Sequence, residues 1–270
     1  MTTLFLAPTT LPAAPPTEFI AAAGAAGFDG IGLRLNASPG LPFHPVAGNA
    51  TLVREVKRRI ADLGLKVHDI LSFYLQPDTD VARYAAPLEL GAEFGAKYAL
   101  TIGDDVDWGR MRENFGKLCD LAAPLGIAAS IEFVPRRMLA NLPDTLRLMR
   151  EAARPNTTLC IDPLHVTRSA ATAADLKKLD PRLIPYVQLC DGILEPGEPD
   201  PKGLGRTAPE RRCMPGEGML PLRDILGAVP AGIPISVEVP FDKKARLTPV
   251  EWTKKVAEKT RSFLNGVGRL

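Results

Sequence analysis

The stretch LGIAASIEF, residues 125–133, decides the fold. Its glycine follows a helical pattern and leads directly into a short apolar run, which is typical of a helix C-terminal cap placed just before a strand. The same order recurs in AAGFDGIGL, LGLKVHDI and FGAKYALTIG, residues 25–33, 63–70 and 94–103. Repeated transitions from helix to strand predict an alternating α/β protein with a parallel sheet.

Eight short β-prone runs recur at a spacing of roughly thirty residues, with Ala- and Leu-rich segments between them. The predicted strands are residues 4–7, 30–35, 66–71, 98–103, 128–133, 158–162, 186–190 and 235–239, and the main predicted helices are residues 18–26, 52–63, 81–94, 108–124, 144–153 and 250–264. This pattern predicts a (β/α)8 TIM barrel in which residues 1–270 form a single domain. An open doubly wound sheet is the competing architecture, but PTTLPAAPP follows the first strand where a glycine-rich phosphate loop would be expected.

The composition excludes several classes of protein. The 270 residues are 46% hydrophobic, which is enough for a large core. A net charge of +2 with no long run of one sign does not indicate a nucleic-acid or membrane partner. The N-terminal sequence has no basic region typical of a signal peptide, and no window is long and apolar enough for a membrane span. Four single cysteines indicate reduced thiols in a cytoplasmic protein.

A polar side chain lies at or near the end of each of the last four predicted strands. Because side chains alternate between the two faces of a strand, the apolar neighbours are expected to face the helices and these polar residues the barrel interior. Active sites of TIM barrels are built at this carboxyl-terminal end of the strands. The four residues are Glu132 in SIEF, Asp162 in IDP, Gln188 in VQL and Glu238 in SVEV.

Three carboxylates that converge with an amide would repel one another without compensation. A buried carboxylate must be paired, protonated or bound to a metal, and no basic residue lies on these strands to pair with them. A divalent cation held by Glu132, Asp162, Gln188 and Glu238 is therefore predicted. The four ligands offer only oxygen, which favours Mn²⁺ or Mg²⁺ over Zn²⁺.

The segments SIEF, IDPLH, VQLCD, RRCMPGEG and SVEVP resemble the xylose-isomerase-like TIM barrel superfamily, the sugar phosphate isomerase/epimerase group. The resemblance follows the strand order over nearly the whole chain and is most specific from Glu132 onward. It implies one divalent ion, commonly Mn²⁺, on the four residues above, and it implies that His165 and Arg212 contact substrate oxygens. It also implies that homo-oligomers are common. A zinc-dependent apurinic endonuclease branch of the group needs many histidines, and this chain has three.

The resemblance departs from the epimerase pattern at one position. Many sugar epimerases of the group carry His where this chain has Gln188, and Gln also occurs there in relatives that resemble dehydroshikimate dehydratases. This difference affects the predicted reaction type more than it affects the predicted metal site.

Glu132 and Glu238 come from the fifth and eighth strands and are the predicted catalytic pair. One would remove the proton next to a substrate carbonyl, to give a metal-stabilised enediolate, and the other would return it. Return to the opposite face gives epimerisation, and return to the neighbouring carbon gives aldose–ketose isomerisation. If the enediolate instead loses a β-hydroxyl, the same residues would make the protein a dehydratase that acts on a dehydroshikimate- or inosose-type compound. A third hypothesis, a barrel that only binds a ligand, is disfavoured by the intact ligand set.

The predicted partner is a small polyhydroxy carbonyl compound, not a nucleic acid or a membrane. Arg34 and Arg212 suit an anionic substrate without requiring one. The longest irregular stretch, residues 191–218, is rich in Pro, Gly and charge. A loop of this length in a compact domain is usually functional or disordered.

Overall fold

Eight parallel strands close into a barrel in this computed structural model, which describes residues 2–195, 199, 211–242 and 245–270. The barrel strands are β1 (Leu4–Leu6), β2 (Gly30–Arg34), β3 (Lys66–Leu75), β4 (Tyr98–Gly103), β5 (Ala128–Glu132), β6 (Thr157–Ile161), β7 (Tyr186–Leu189) and β10 (Ile235–Val237). Strands β8 (Asp191–Gly192) and β9 (Arg212–Cys213) form a separate antiparallel pair. Each barrel strand pairs with its sequence neighbour among these eight, and β10 closes the ring against β1. The predicted (β/α)8 barrel is confirmed.

Helices surround the strands. They are α1 (Pro16–Ala25), α2 (Ala50–Asp62), α3 (Ala85–Glu93), α4 (Trp108–Ala122), α5 (Leu142–Ala152), α6 (Pro163–Arg168), α7 (Ala173–Leu176), α8 (Leu222–Ala228) and α9 (Pro249–Gly266). Short polar side chains begin several of them, as at α4, where Asp107 accepts a hydrogen bond from the Arg110 backbone N–H at 2.9 Å. Gly126 of the stretch LGIAASIEF has φ of 69°, a left-handed conformation that favours glycine. No helix in the described ranges is long and apolar enough to cross a membrane.

Side chains alternate between the two faces of each strand, and this alternation separates two buried regions. Ile131, Val187 and Val237 are fully buried in the large core that the strands share with the helices. A smaller cluster inside the barrel contains Leu71, Leu100, Cys160 and Tyr186. The polar residues between the outward-facing ones therefore point into the barrel, as their sequence positions predict.

Two elements differ from the sequence prediction. Strand β3 continues to Leu75, beyond the predicted end at residue 71, because after a register shift it pairs with β4 as far as Gly103. The stretch from Asp191 to Gly218 is predicted as irregular, but Asp191–Gly192 and Arg212–Cys213 within it pair as β8 and β9. Residues 196–198 and 200–210 of this stretch lie outside the described residues. The hairpin carries Arg212 back to the mouth of the barrel.

Candidate active site

The Gln188 side-chain amide lies between the carboxylates of Glu132 and Glu238. Its Nε2 donates to Glu132 Oε1 at 3.1 Å and to Glu238 Oε2 at 2.5 Å. Glu132 ends β5, Gln188 lies in β7, and Glu238 directly follows β10. All three side chains are buried. Three of the four residues predicted as metal ligands therefore form one cluster at the carboxyl ends of the strands.

Asp162 follows β6 and begins α6. Its Oδ1 accepts hydrogen bonds from the backbone N–H groups of Leu164 at 2.8 Å and of His165 at 3.3 Å. This turn brings the imidazole of His165 to the cluster, with Nε2 lying 3.8 Å from Glu132 Oε1. Glu132, Asp162 and His165 each offer a ligand atom within 4.8 Å of the others. His165, which the resemblance assigns to the substrate, is thus also placed to contact a metal.

Arg212 reaches this cluster from β9. Its Nη1 lies 2.5 Å from Asp162 Oδ2 and 3.0 Å from Cys190 Sγ. Its Nη2 lies 3.3 Å from His165 Nε2 and 3.6 Å from Glu238 Oε2. The Arg212 side chain is only 2% exposed, so its charge is desolvated and faces the carboxylates at close range.

No basic residue lies on the four strands, but the folded chain brings Arg212 to the carboxylates from outside them. Arg212 lies 50 positions after Asp162 and on none of the four strands, so strand patterns alone could not place it. The structure also distinguishes Arg212 from its neighbour Arg211. Arg211 points outward and pairs with Glu195 Oε1 at 2.8 Å.

Asp191, which the sequence analysis did not select, holds the hairpin that carries Arg212. Its Oδ1 accepts from the backbone N–H groups of Gly192 at 2.8 Å and Leu220 at 3.1 Å, and its Oδ2 accepts from Gly216 N–H at 3.0 Å. A Cβ on Gly218 would lie 2.3 Å from Asp191 Oδ1, so only glycine fits there. The PGEG segment is therefore a fixed turn around a buried carboxylate.

We expect Asp191→Asn to lower the free energy of unfolding by about 2 kcal/mol, because buried backbone N–H groups lose a carboxylate acceptor. Urea denaturation followed by circular dichroism would measure the change. Asp180→Asn is the matched control, since Asp180 lies on the surface and accepts from Arg182. An unchanged midpoint for the Asp191 variant would contradict the assigned role.

A cavity of about 390 Å³ opens onto the cluster. Its floor includes Glu132, Gln188 and Glu238, and its walls include residues that the strand patterns did not select. The extension of β3 supplies Tyr74, and the turn after β5 supplies Arg136 and Arg137. The only sequence signal for the two arginines is their position directly after the VP that follows β5. The remaining wall is largely apolar, with Pro12, Leu41, Leu71, Leu100, Ile102, Val134 and Pro240.

A carboxyl group that is not part of the cluster lies inside the barrel. Asp69 of β3 is 1% exposed, and its Oδ1 has no hydrogen-bond partner within the described parts of the chain. Burial, with a smaller contribution from the charge of Glu238, raises the pKa of Asp69 to about 7. The neighbouring His68 stacks on Phe5 at 4.4 Å, and burial lowers the pKa of His68 to about 4. His68 is therefore a neutral core residue.

The described residues fit a divalent cation. The amide of Gln188 places the positive end of its dipole between two carboxylates, where a cation would be stabilised. Its Oε1 is buried and has no hydrogen-bond partner in the described ranges. Rotation of the amide would exchange the two atoms and present Oε1 to the cluster as a ligand. Because the His165 imidazole lies at the same place, the donor set suits Zn²⁺ as well as Mn²⁺ or Mg²⁺.

The family model for the xylose isomerase-like TIM barrel matches residues 20–263. The chain belongs to this family. The match includes every residue of the cluster described above, from Glu132 to Glu238. No curated protein sequence matches the chain significantly.

Solved structures of other proteins share the fold at low sequence identity. The IolI protein with a bound zinc atom has a TM-score of 0.76 and 17% identity, over 99% of each chain. The probable 3-DHS dehydratase AsbF from Bacillus anthracis has a TM-score of 0.70 and 19% identity, over 95% of this chain and 97% of that one. D-allulose 3-epimerase from Methylomonas sp., in complex with D-allulose, has a TM-score of 0.69 and 17% identity, over 100% and 97% of the two chains.

The chain spans 44% of the length of another similar structure, a fusion of a xylose isomerase-like TIM barrel with a 4-hydroxyphenylpyruvate dioxygenase. That match covers 99% of this chain, with 19% identity and a TM-score of 0.76.

Proposed function

We propose that the protein is a divalent-metal-dependent isomerase or epimerase that acts on a sugar or sugar phosphate in the cytoplasm. The observation that carries the proposal is the pair of buried carboxylates, Glu132 and Glu238, placed on either side of Gln188 at the base of a cavity. Similar structures that are named as an epimerase and as a zinc-bound barrel protein support it.

Glu132, Asp162, Gln188 and Glu238 would hold the metal, for which we propose Mn²⁺ or Mg²⁺, and His165 is close enough to contribute. The ion, when bound, would supply Lewis-acid stabilisation of the negative charge that develops on the substrate oxygens.

The two glutamates would act on opposite faces of the substrate. One would take the proton from the carbon next to the carbonyl, and the other would return a proton to the enediolate. Glu132 and Glu238 lie on strands separated by β6 and β7 in the barrel, so a small substrate could fit between them. The choice of base and acid then depends on which epimer is bound.

His165 and Arg212 would bind the substrate. His165 Nε2 and the guanidinium of Arg212 lie 3.3 Å apart beside the carboxylates, so both can address neighbouring oxygens of one molecule. Arg212 would also orient the Asp162 carboxylate through the 2.5 Å contact to its Oδ2.

A metal-dependent dehydratase is the second candidate. The observation that favours it is the buried imidazole of His165, which lies beside the proposed bases and could protonate a departing hydroxyl. A similar structure is named as a probable dehydratase. Both candidates begin with removal of the same proton. In the isomerase or epimerase the intermediate regains a proton on carbon, whereas in the dehydratase it expels a β-hydroxyl, which leaves as water.

Proton NMR in D₂O separates the two candidates. We expect the Mn²⁺-loaded protein, given a panel of ketoses, ketose phosphates and cyclic hydroxy ketones, to incorporate deuterium next to the carbonyl without loss of water. A new alkene signal would instead identify the dehydratase. Neither signal with any compound, from protein that elemental analysis shows to hold stoichiometric metal, would contradict both candidates and favour a barrel that only binds a ligand.

A further inference from the structure

The turn after β5 carries an arginine that is fixed at the cavity wall. Arg137 Nη1 donates to Asp104 Oδ2 at 2.8 Å, and the guanidinium carbon lies 5.4 Å from the centre of the Tyr74 ring. Arg137 and Tyr74 line the same cavity as Glu132 and Glu238. The ion pair and the ring restrict the guanidinium to one orientation, which reduces the entropy that binding would cost.

The backbone of this turn is fixed as well. The Arg137 N–H donates to the carbonyl of Val134 at 2.7 Å, and the Met138 N–H donates to Asp104 Oδ1 at 3.2 Å. The Leu139 N–H donates to the carbonyl of Gly103, the last residue of β4. The turn is therefore tied to a barrel strand at several points, and the position of Arg137 relative to the cluster is set by the fold.

Arg137 retains donors that face the cavity. A guanidinium has five N–H groups, and Asp104 takes one of them within the described residues. The Arg137 side chain is 23% exposed, so the other groups are open to the cavity, unlike those of Arg212, which are buried among carboxylates. A planar group with several free donors suits the oxygens of a carboxylate or phosphate.

The charges around the cavity also favour the binding of an anionic group. A divalent ion together with Arg212 would balance the three carboxylates of Glu132, Asp162 and Glu238. Arg137 lines the cavity, whereas its partner Asp104 is not among the described lining residues, so the positive member of this ion pair faces the cavity. The described part of the cavity would then attract an anion.

We infer that the substrate carries a carboxylate or phosphate group and that Arg137, with Arg136, binds this group while the reacting carbon lies at the glutamates. This inference rests on the proposed function, because it assumes that the same cavity binds the substrate. It adds the chemical class of the substrate and the residue that selects it. Arg137 is a specificity residue in this scheme and takes no part in proton transfer.

Three compounds with one six-carbon framework test the inference. D-fructose is neutral, D-fructose 6-phosphate carries a phosphate, and D-fructuronate carries a carboxylate at the same end. We expect calorimetric titration of the Mn²⁺-loaded protein to show at least one anionic compound binding about tenfold more tightly than fructose. The stronger of the two identifies phosphate or carboxylate as the natural group.

Variants then assign the preference to the arginine. Arg137→Met should remove most of the preference, with little change in fructose binding, and Arg137→Lys should retain part of it. Arg136→Gln, at an exposed position, should weaken the binding of the anionic compound by about threefold. Arg110→Met is the matched control, because Arg110 forms the same kind of ion pair with the neighbouring carboxylate, Asp105, but does not line the cavity.

Equal affinities for the three compounds, or a preference that survives in Arg137→Met, would overturn the inference. Failure of both anionic compounds to bind at millimolar concentrations would do the same. Deuterium exchange distinguishes failure of the inferred anionic substrate class from failure of the proposed function. Exchange with a neutral ketose alone would leave the isomerase proposal in place and overturn only the anionic class.

Discussion

Glu132→Gln and Glu238→Gln should each reduce deuterium incorporation next to the substrate carbonyl by about a thousandfold or more. Each amide is close in shape to the carboxylate that it replaces but cannot accept the proton, and a positioned base or acid contributes about 10²- to 10⁴-fold to the rate. Both carboxylates are also proposed ligands, so lost metal affinity would add to the effect. The rate is measured by NMR with the best substrate of the panel, at saturating Mn²⁺.

Metal content distinguishes the two contributions. A variant that still holds stoichiometric metal and has lost exchange has lost a base or an acid, whereas a variant without metal has lost a ligand. Glu113→Gln is the control, because Glu113 is an exposed glutamate of α4 that pairs with Lys117. Exchange within about tenfold of the unmodified rate in both active-site variants would exclude the two-glutamate mechanism.

At pH 8, Asp69→Asn should have a higher free energy of unfolding than the unmodified chain. Near pH 4 the free energies of unfolding of the two proteins should differ much less. Burial raises the pKa of Asp69 to about 7 in the folded protein, compared with 3.8 for the free side chain. The folded state therefore holds a proton that the unfolded state has already released. The stability of the unmodified protein falls as pH rises from about 4 to about 7, and the total loss is about 4 kcal/mol.

Asparagine has no such proton, so the difference between the two unfolding curves isolates this carboxyl group. Urea denaturation in EDTA at a series of pH values gives both curves. Asp175→Asn is a control with the opposite sign, since hydrogen bonds from Thr172 and then Lys178 lower the pKa of Asp175. Parallel pH profiles for the unmodified protein and Asp69→Asn would show that Asp69 is ionised in the folded state.

The barrel could be predicted because its signals are local. The glycine of LGIAASIEF adopts the left-handed conformation that ends a helical segment, and the apolar run after it becomes β5. The inward orientation of Glu132 and Gln188 follows from the two-residue period of a strand, which tertiary contacts do not change. The extension of β3 to Leu75 was not predictable in this way, because it depends on a register shift against β4.

The electrostatic balance of the site could not be predicted from strand patterns. Arg212 contacts Asp162 across 50 positions of sequence, and Arg137 is oriented by Asp104 across 33 positions. Such pairs depend on where loops return, and an arginine in a polar loop has no periodicity to mark it. Asp191 was missed for a related reason, since its partners are backbone N–H groups that any sequence provides.

The contacts that hold the segment carrying Arg212 lie at the base of the hairpin of β8 and β9. Its base, closed by Asp191, fixes the guanidinium that neutralises the site. The residues between Leu194 and Arg211 can therefore change in length or sequence without moving that cation. Evolution could vary this segment, and engineers could exchange it between relatives, while Arg212 stays beside the carboxylates.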